Sequence, residues 1–400
     1  MTIQFTTLKS ISEIAAQDWN AITGIDYPFL RHEFLHALEA SGAVGNDSGW
    51  QPRHQLIYRD NKLIGVMPLY RKYHSWGEYV FDWAWAQAYE KHGLNYYPKL
   101  VSAIPYTPAE GARLAVAKDQ SLQDIWPVLQ TRLLQLTRDE RCSSLHVLFN
   151  DNKLQTALKT HNDSYSLLPR LGVQYHWFNR HAINASDKPY ENFSDFLGDC
   201  NSRKRRSLGK ERKKIAAQHV QLKRLVGNEI SEAHWEAFYH CYQLTYLKRS
   251  GHGGYLNREF FRHLADTMPE QILMVIAERE TTFIAAALCF IGSDTLYGRY
   301  WGCLEDVDGL HFEACYYQGI DFCIEQQLLR FDPGAQGEHK IARGFRPVFT
   351  HSWHYLADRR FQLAISDFLQ REQLHIHSYR SEAETLLPFR RADEHGESPE

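Results

Sequence analysis

"RDNKLIGVMPLY", beginning at Arg59, and "RETTFIAAALCF", beginning at Arg279, set a polar turn and an apolar strand in the same frame. The segment before each, "HQLIYR" and "ILMVIAER", reads as a strand, and each is followed by an aromatic run, "GEYVFDWAWA" from Gly77 and "TLYGRYWGCL" from Thr295. Self-similarity at such a distance implies two copies of one supersecondary unit, three antiparallel strands and then a helix. At 400 residues the chain is also longer than one hydrophobic core usually serves. The divide is expected near residue 185, before "SDKPYENFSDFL", which gives domains 1–185 and 186–400.

The helix of the second copy is the better defined. In "HFEACYYQGIDFCIEQQL", Phe312, Cys315, Tyr316, Gly319, Ile320, Cys323 and Ile324 recur at helical spacing and form one apolar face. Further helices are expected at "FLHALEAS" and over 231–250.

Composition narrows the class. Hydrophobic residues at 44% and charged residues at 23% fit an ordinary globular chain, and the aromatics (10 Trp, 22 Tyr, 21 Phe) are numerous enough to line a cleft as well as a core. A net charge of −3 confines any polyanion binding to a local patch. The 7 cysteines are scattered without a C-x-x-C pair, so neither a disulfide framework nor a zinc ribbon is expected. The start lacks a secretory pattern, and the longest apolar run, "FIAAALCFI", is too short to span a bilayer. A cytoplasmic protein with no transmembrane segment is the expectation.

The local patch is "RKRRSLGKERKK", Arg203 to Lys214, in which 8 of 12 residues are basic and one is acidic. It reads as a basic helical segment over 203–224, reaching Lys223 and Arg224. Like charges four apart destabilise a helix, so this density asks for compensation. Arg203, Lys204, Arg205, Lys210 and Arg212 are the candidate phosphate or polyanion contacts; a solvated helix face is the plain reading beside it.

"FDPGAQGEHKIARGF", from Phe331 to Phe345, combines Gly334, Gly337 and Gly344 with Glu338, His339, Lys340 and Arg343. Glycines allow positive φ and close backbone approach to a ligand. The segment is therefore expected to line a cleft, with His339 moving protons and Glu338, Lys340 and Arg343 binding substrate; an internal ion-pair network is the competing reading. A second cluster lies just upstream. Tyr297, Arg299 and Trp301 should share one strand face and bind substrate, while His311 and Glu313, opening the next helix, are proton-transfer candidates. In the first half, Glu78 and Asp82 should share a strand face among aromatics, where desolvation would raise a carboxylate pKa toward that of a base; an acid paired with Lys or Arg is the alternative. H-F-E sets its two polar side chains about 200° apart on a helix, and H-E-x-x-H is absent, so no metal is expected.

Long stretches, among them "YPFLRHEFLHALEASGAVGNDSGWQPRH", "GVMPLYRKYHSWGEYVFDWAWAQAYEKHGLNYYPKL" and "LYGRYWGCLEDVDGLHFEACYYQGIDFCIEQQLLRFDPGAQGEHKIARGFRPVFTHSWHY", resemble the bacterial predicted N-acyltransferases described as peptidoglycan biosynthesis or recognition proteins. The resemblance runs from about Tyr27 to about Glu372. It implies an α+β fold of two tandem GNAT-like domains related to the Fem enzymes, with mainly antiparallel sheets flanked by helices. It also implies N-acyl or aminoacyl transfer to an amine on a peptidoglycan precursor or another cell-envelope metabolite. The donor would be acyl-CoA or an aminoacyl-tRNA acting as co-substrate, with no tightly bound cofactor. The sequence departs from the GNAT pattern in one feature, missing from both halves: the first has "WAWAQAYEKHG" at the equivalent point. Where a Q/R-x-x-G-x-G/A loop would hold pyrophosphate, this chain has "EDVDGLHFEACYY", which argues against coenzyme A held in the standard manner. The rival class is a non-catalytic protein that recognises peptidoglycan or nucleic acid through the basic helix.

Overall fold

In both copies of the repeat, the residues joining the two strands adopt the same unusual backbone. Asp60 and Asn61 have φ of 49° and 65°, and Glu280 and Thr281 have φ of 48° and 69°. Positive φ at both central residues is the two-residue hairpin turn whose twist matches that of the flanking strands. The register then slips at the same place. Ile57 pairs with Gly65 and Tyr58 with Leu63, leaving Ile64 bulged; Ala277 pairs with Ala285 and Glu278 with Phe283, leaving Ile284 bulged. Both isoleucines are buried. The computed structural model describes residues 3–45, 47–161, 167–183, 188–251, 253–335 and 337–390.

The chain forms two compact units, one of Met1–Val173, Tyr255–Leu264 and Phe349–Ser378, the other of Gln174–Gly254, Ala265–Val348 and Tyr379–Glu400. The divide expected near residue 185 falls among residues outside the described set; the chain passes from one unit to the other at 173/174. Strand Leu168–Phe178 runs through that point without a break in composition, so nothing local marks it.

In the first unit, Ile3–Leu8, His54–Arg59, Lys62–Met67 and Ala115–Val116 make a four-stranded antiparallel sheet. A second set, Trp50–Pro52, Tyr70–Lys72, Lys99–Ser102 and Ser144–Leu148, continues to Ser352–Leu356. Lys99–Ser102 and Ser144–Leu148 are parallel, which demands a crossover, supplied by helix Leu122–Asp139 under a Ser121 N-cap. Its Trp126, Leu129 and Leu133 pack on Leu100, Leu145 and Val147 in one core.

The second unit repeats the plan. Val220–Val226, Ile272–Arg279, Thr282–Ile291 and Thr295–Cys303 are antiparallel neighbours. Thr295–Tyr297 then pairs in parallel with Arg330–Asp332, which pairs in turn with Trp177–Phe178. The crossover runs from Leu310 to Glu325 as one helix whose residues Glu313–Tyr317 are wound as a π turn. Helix Glu232–Ser250 lies so close to the sheet that a Cβ on Gly302 would sit 2.2 Å from the Cys241 backbone. The expected α+β fold of two GNAT-like halves is thus the one observed, each half a mainly antiparallel sheet with one parallel pair and a crossover helix.

Two expectations fail. Gly77–Ala86 is not a strand: it is loop up to Asp82 and then helix Trp83–Lys91, because its aromatic alternation is produced by a turn followed by the buried face of a helix. The basic segment is helical only over Ser202–Ala217; Lys223 and Arg224 belong to strand Val220–Val226. All 7 cysteines are free thiols.

Candidate functional site

The crossover helix of the second unit and the stretch after Asp332 meet through one hydrogen bond. Tyr316 Oη lies 2.8 Å from His339 Nε2. Tyr316 is buried, whereas His339 is exposed on the 3-10 helix Glu338–Arg343. Partial burial, then Lys340 and Arg343, lower the His339 pKa below its ordinary 6.5. The ring is therefore neutral near pH 7 and, with Nε2 engaged, keeps Nδ1 to donate or accept. Gly337, at φ 114°, passes so near that a Cβ there would fall 2.5 Å from His339 Cε1 and 3.0 Å from Nδ1.

His311 adds a second imidazole, with ring centroids 5.4 Å from Tyr316 and 6.1 Å from His339. Burial, then His339 and Arg249, lower its pKa to about 4. Its ring faces Trp301 edge-on at 5.5 Å, and both border a cavity of about 390 Å3 that also touches Arg249, Cys303, Asp306 and Asp308. A bulge opposite Leu288–Cys289 interrupts the strand between Gly298 and Tyr300, so the parity argument that put Tyr297, Arg299 and Trp301 on one face does not hold across it.

Most of the remaining predicted residues are engaged with other groups of the protein. Arg299, expected to bind substrate, forms a buried ion pair with Asp332 at 2.7 Å and stacks over Tyr297 at 5.4 Å; His176 Nε2 lies 3.8 Å from the Asp332 carboxylate. Burial alone would raise the Asp332 pKa, but Arg299 and His176 outweigh it and hold the carboxyl well below its ordinary range. Lys340 is buried and donates to the Gly334 carbonyl at 2.7 Å; burial, with Arg299 adding to it, lowers its pKa to about 8. Arg343 lies 3.5 Å over the Phe312 ring, bonds the His339 carbonyl at 2.8 Å and pairs with Glu211 at 2.8 Å. Glu338 accepts from Tyr379 Oη at 2.7 Å. Glu313 is buried against Arg212, at 2.9 Å, and Gln318, at 2.8 Å. Arg212 is shared with Asp321 at 2.7 Å, and Arg205 bonds the carbonyls of Leu197, Gly198 and Cys200. Arg203, Lys204 and Lys210 have no recorded side-chain partner among the described residues.

In the first unit, Glu78 and Asp82 reach one buried amine. Lys99 Nζ donates to Glu78 at 2.8 Å, to Ser75 at 2.8 Å and to Asp82. Tyr96 Oη donates to Asp82 at 2.6 Å and lies 3.3 Å from His146 Nε2, and His146 Nδ1 is 2.7 Å from His354 Nδ1. Burial raises Glu78 to about 7, whereas Lys99 holds Asp82 far below its ordinary value despite burial. Both carboxylates are thus paired with Lys99, the alternative weighed for them beside a base.

The family model described as peptidoglycan biosynthesis/recognition, FemAB-like, matches residues 10–391. The chain belongs to this family. No curated protein matches the FemAB-like chain by sequence. Its fold is similar to that of FemX, at 11% identity and a TM-score of 0.50, over 91% of this chain and 100% of that one. A conserved protein of unknown function from Bacteroides thetaiotaomicron is similar at 10% identity and a TM-score of 0.51, over 88% and 99%.

Sequence reading missed Tyr316 as a partner, since it counted as one more apolar position on its helix. It also missed Lys99, His146 and His354, which carry no local motif. Arg249 escaped because its contribution to the cavity depends on how its helix packs.

Proposed function

We propose that this FemAB-like protein transfers an acyl or aminoacyl group to an amine, on a peptidoglycan precursor or a related cell-envelope metabolite, with His339 as the proton acceptor. The observation that carries this reading is the Tyr316–His339 pair: an exposed, neutral imidazole anchored through Nε2 by a buried phenol. With Nε2–H donating to Tyr316, the Nδ1 lone pair takes a proton from the attacking amine. The new C–N bond then forms as the C–O bond of an ester donor, or the C–S bond of a thioester, breaks and the leaving oxygen or sulfur is protonated. His311, kept neutral beside Trp301, suits an uncharged donor or acceptor at the rim of the 390 Å3 cavity. Asp306 and Asp308 on that cavity favour a donor other than coenzyme A held by its pyrophosphate, and an aminoacyl-tRNA is the donor most in keeping with the family.

Thermal stabilisation against acetyl-CoA, longer acyl-CoAs, carrier-bound acyl groups and charged tRNA identifies the donor, because a ligand that binds only the folded state raises Tm. With that donor, His339→Ala should keep the Tm shift and lose turnover; full turnover in this variant would remove His339 from the mechanism. The exposed Arg203 and Lys210, with half-buried Lys204, favour a second reading, a recognition protein for a polyanion. Salt-sensitive binding with no turnover for any donor would select it.

A further inference from the structure

The 390 Å3 cavity beside His311 carries two opposite charges that find no partner. It is framed by the end of helix Glu232–Ser250, the end of strand Thr295–Cys303 and the start of the crossover helix at Leu310. Four of its lining residues are charged: Arg249, Glu305, Asp306 and Asp308. Two of these are engaged, Glu305 with Arg279 at 2.5 Å and Asp308 with Lys214. Arg249 and Asp306 are left. Among the described residues the Arg249 side chain makes no hydrogen bond or ion pair, and the Asp306 carboxylate meets only the weak donor Cys303 Sγ, at 3.8 Å. The two do not pair with each other.

Both charges are felt at the site. With burial and His339, Arg249 lowers the His311 pKa; burial and Cys315 raise the Tyr316 pKa, and Arg343 and Arg249 oppose them. Burial, then Asp306, raise the Cys303 thiol pKa against the exposed Lys248. The cavity also has an uncharged wall, formed by Trp301 and His311 with their rings 5.5 Å apart, and by Leu310. The dipole of helix Glu232–Ser250 accounts for an arginine in its last turn. It does not account for an unpaired acid on the same cavity. A lone anion would satisfy Arg249 but face Asp306 and its acidic neighbours. A metal ion or a plain amine would satisfy Asp306 but face Arg249. A ligand with a cation and an anion on one short skeleton satisfies both.

We propose that this cavity binds the ammonium–carboxylate head of an α-amino acid, with the carboxylate on Arg249, the ammonium on Asp306 and the carbon skeleton against Trp301 and His311. The inference rests on the transfer reading only in making this amino acid the acceptor, held beside His311, whose ring lies 6.1 Å from that of His339. An aminoacyl ester has no free carboxylate, so the unpaired charges select the acceptor and not the donor.

The test is calorimetric titration of the full chain with L-alanine, D-alanine and L-lysine. Ethylamine and cadaverine are the controls without a carboxylate, and propionate is the control without an ammonium. At least one amino acid should bind and no control should. Arg249→Gln and Asp306→Asn should each weaken that binding roughly tenfold or more, the loss of one charge-assisted contact. Arg249→Glu should reverse the choice between lysine and cadaverine, a change that misfolding cannot imitate; Tm confirms that each variant is folded. No binding of any amino acid, controls that bind as tightly, or binding that all three variants leave unchanged would overturn the proposal. The two readings fail separately. An amino acid that binds but is never acylated leaves this site standing and counts against transfer. Turnover of an acceptor that Arg249→Gln and Asp306→Asn leave unchanged does the reverse.

Discussion

Tyr316 and His339, 23 residues apart in the chain, are joined by a 2.8 Å hydrogen bond that ties an exposed imidazole to a buried phenol. If this bond fixes the ring for proton transfer, His339→Ala should lower kcat roughly 10²- to 10⁴-fold. Tyr316→Phe should lower it by about tenfold with KM unchanged, since only one hydrogen bond is lost. Steady-state kinetics with the donor found by thermal shift checks both, and a Tyr316→Phe effect confined to KM would count against a positioning role.

Acidity supplies a test that needs no substrate. Burial, Lys340 and Arg343 disfavour the charged form of His339 and place its pKa below 6.5. With the neutral ring as the proposed base, the rate should fall as pH drops through that pKa. Lys340→Met removes one positive charge, so the pKa should rise toward 6.5 and the acid limb should move to higher pH. NMR titration of His339 Cε1–H reads the change directly.

The Arg299–Asp332 pair is buried on both sides, so removal of one partner leaves an uncompensated charge. Asp332→Leu should leave Arg299 in that state and cost about 3–5 kcal/mol in urea unfolding. The folded pKa of Asp332 lies below 3.8, so its contribution is fully present above pH 3.8 and lost as pH falls toward the folded value. The variant should lack this acid-dependent component.

Lys99 neutralises two buried carboxylates, and Lys99→Met should cost about 3–5 kcal/mol, part of it recovered by adding Asp82→Asn. Glu78 behaves in the opposite sense to Asp332. Its pKa rises from 4.5 to about 7 on folding, so its contribution is complete below 4.5 and lost as pH rises through about 7. Glu78→Gln should flatten stability across that window, as measured by unfolding at a series of pH values.

Gly302 allows helix Glu232–Ser250 to rest on the sheet. Gly302→Ala should cost about 1–3 kcal/mol, because a Cβ 2.2 Å from the Cys241 backbone forces the helix outward. Thermal denaturation measures it.

The hairpins were legible because their signals are local. Arg59 and Arg279 open matching frames in the sequence, and the structure gives those frames the same turn and the same bulge, at Ile64 and Ile284. The periodicity of Phe312 to Ile324 likewise marked a helix, since side chains three and four apart share a face whatever lies beyond. Gly77–Ala86 misled because alternation in a short aromatic run is shared by a strand and by a turn that enters a helix. The charges were least legible. Arg212 meets Glu313 from 101 positions away, and Asp332 meets Arg299 from 33. A buried ion must find its counter-ion, but the chain can supply it from any distance, so its identity is set by packing. Residues that announced substrate binding in the sequence, Arg299 on its strand and Lys340 and Arg343 in the glycine-rich stretch, were therefore drawn into internal pairs and stacks. Which imidazole stayed exposed, and that Tyr316 would hold it, was decided only when the crossover helix came against Glu338–Arg343.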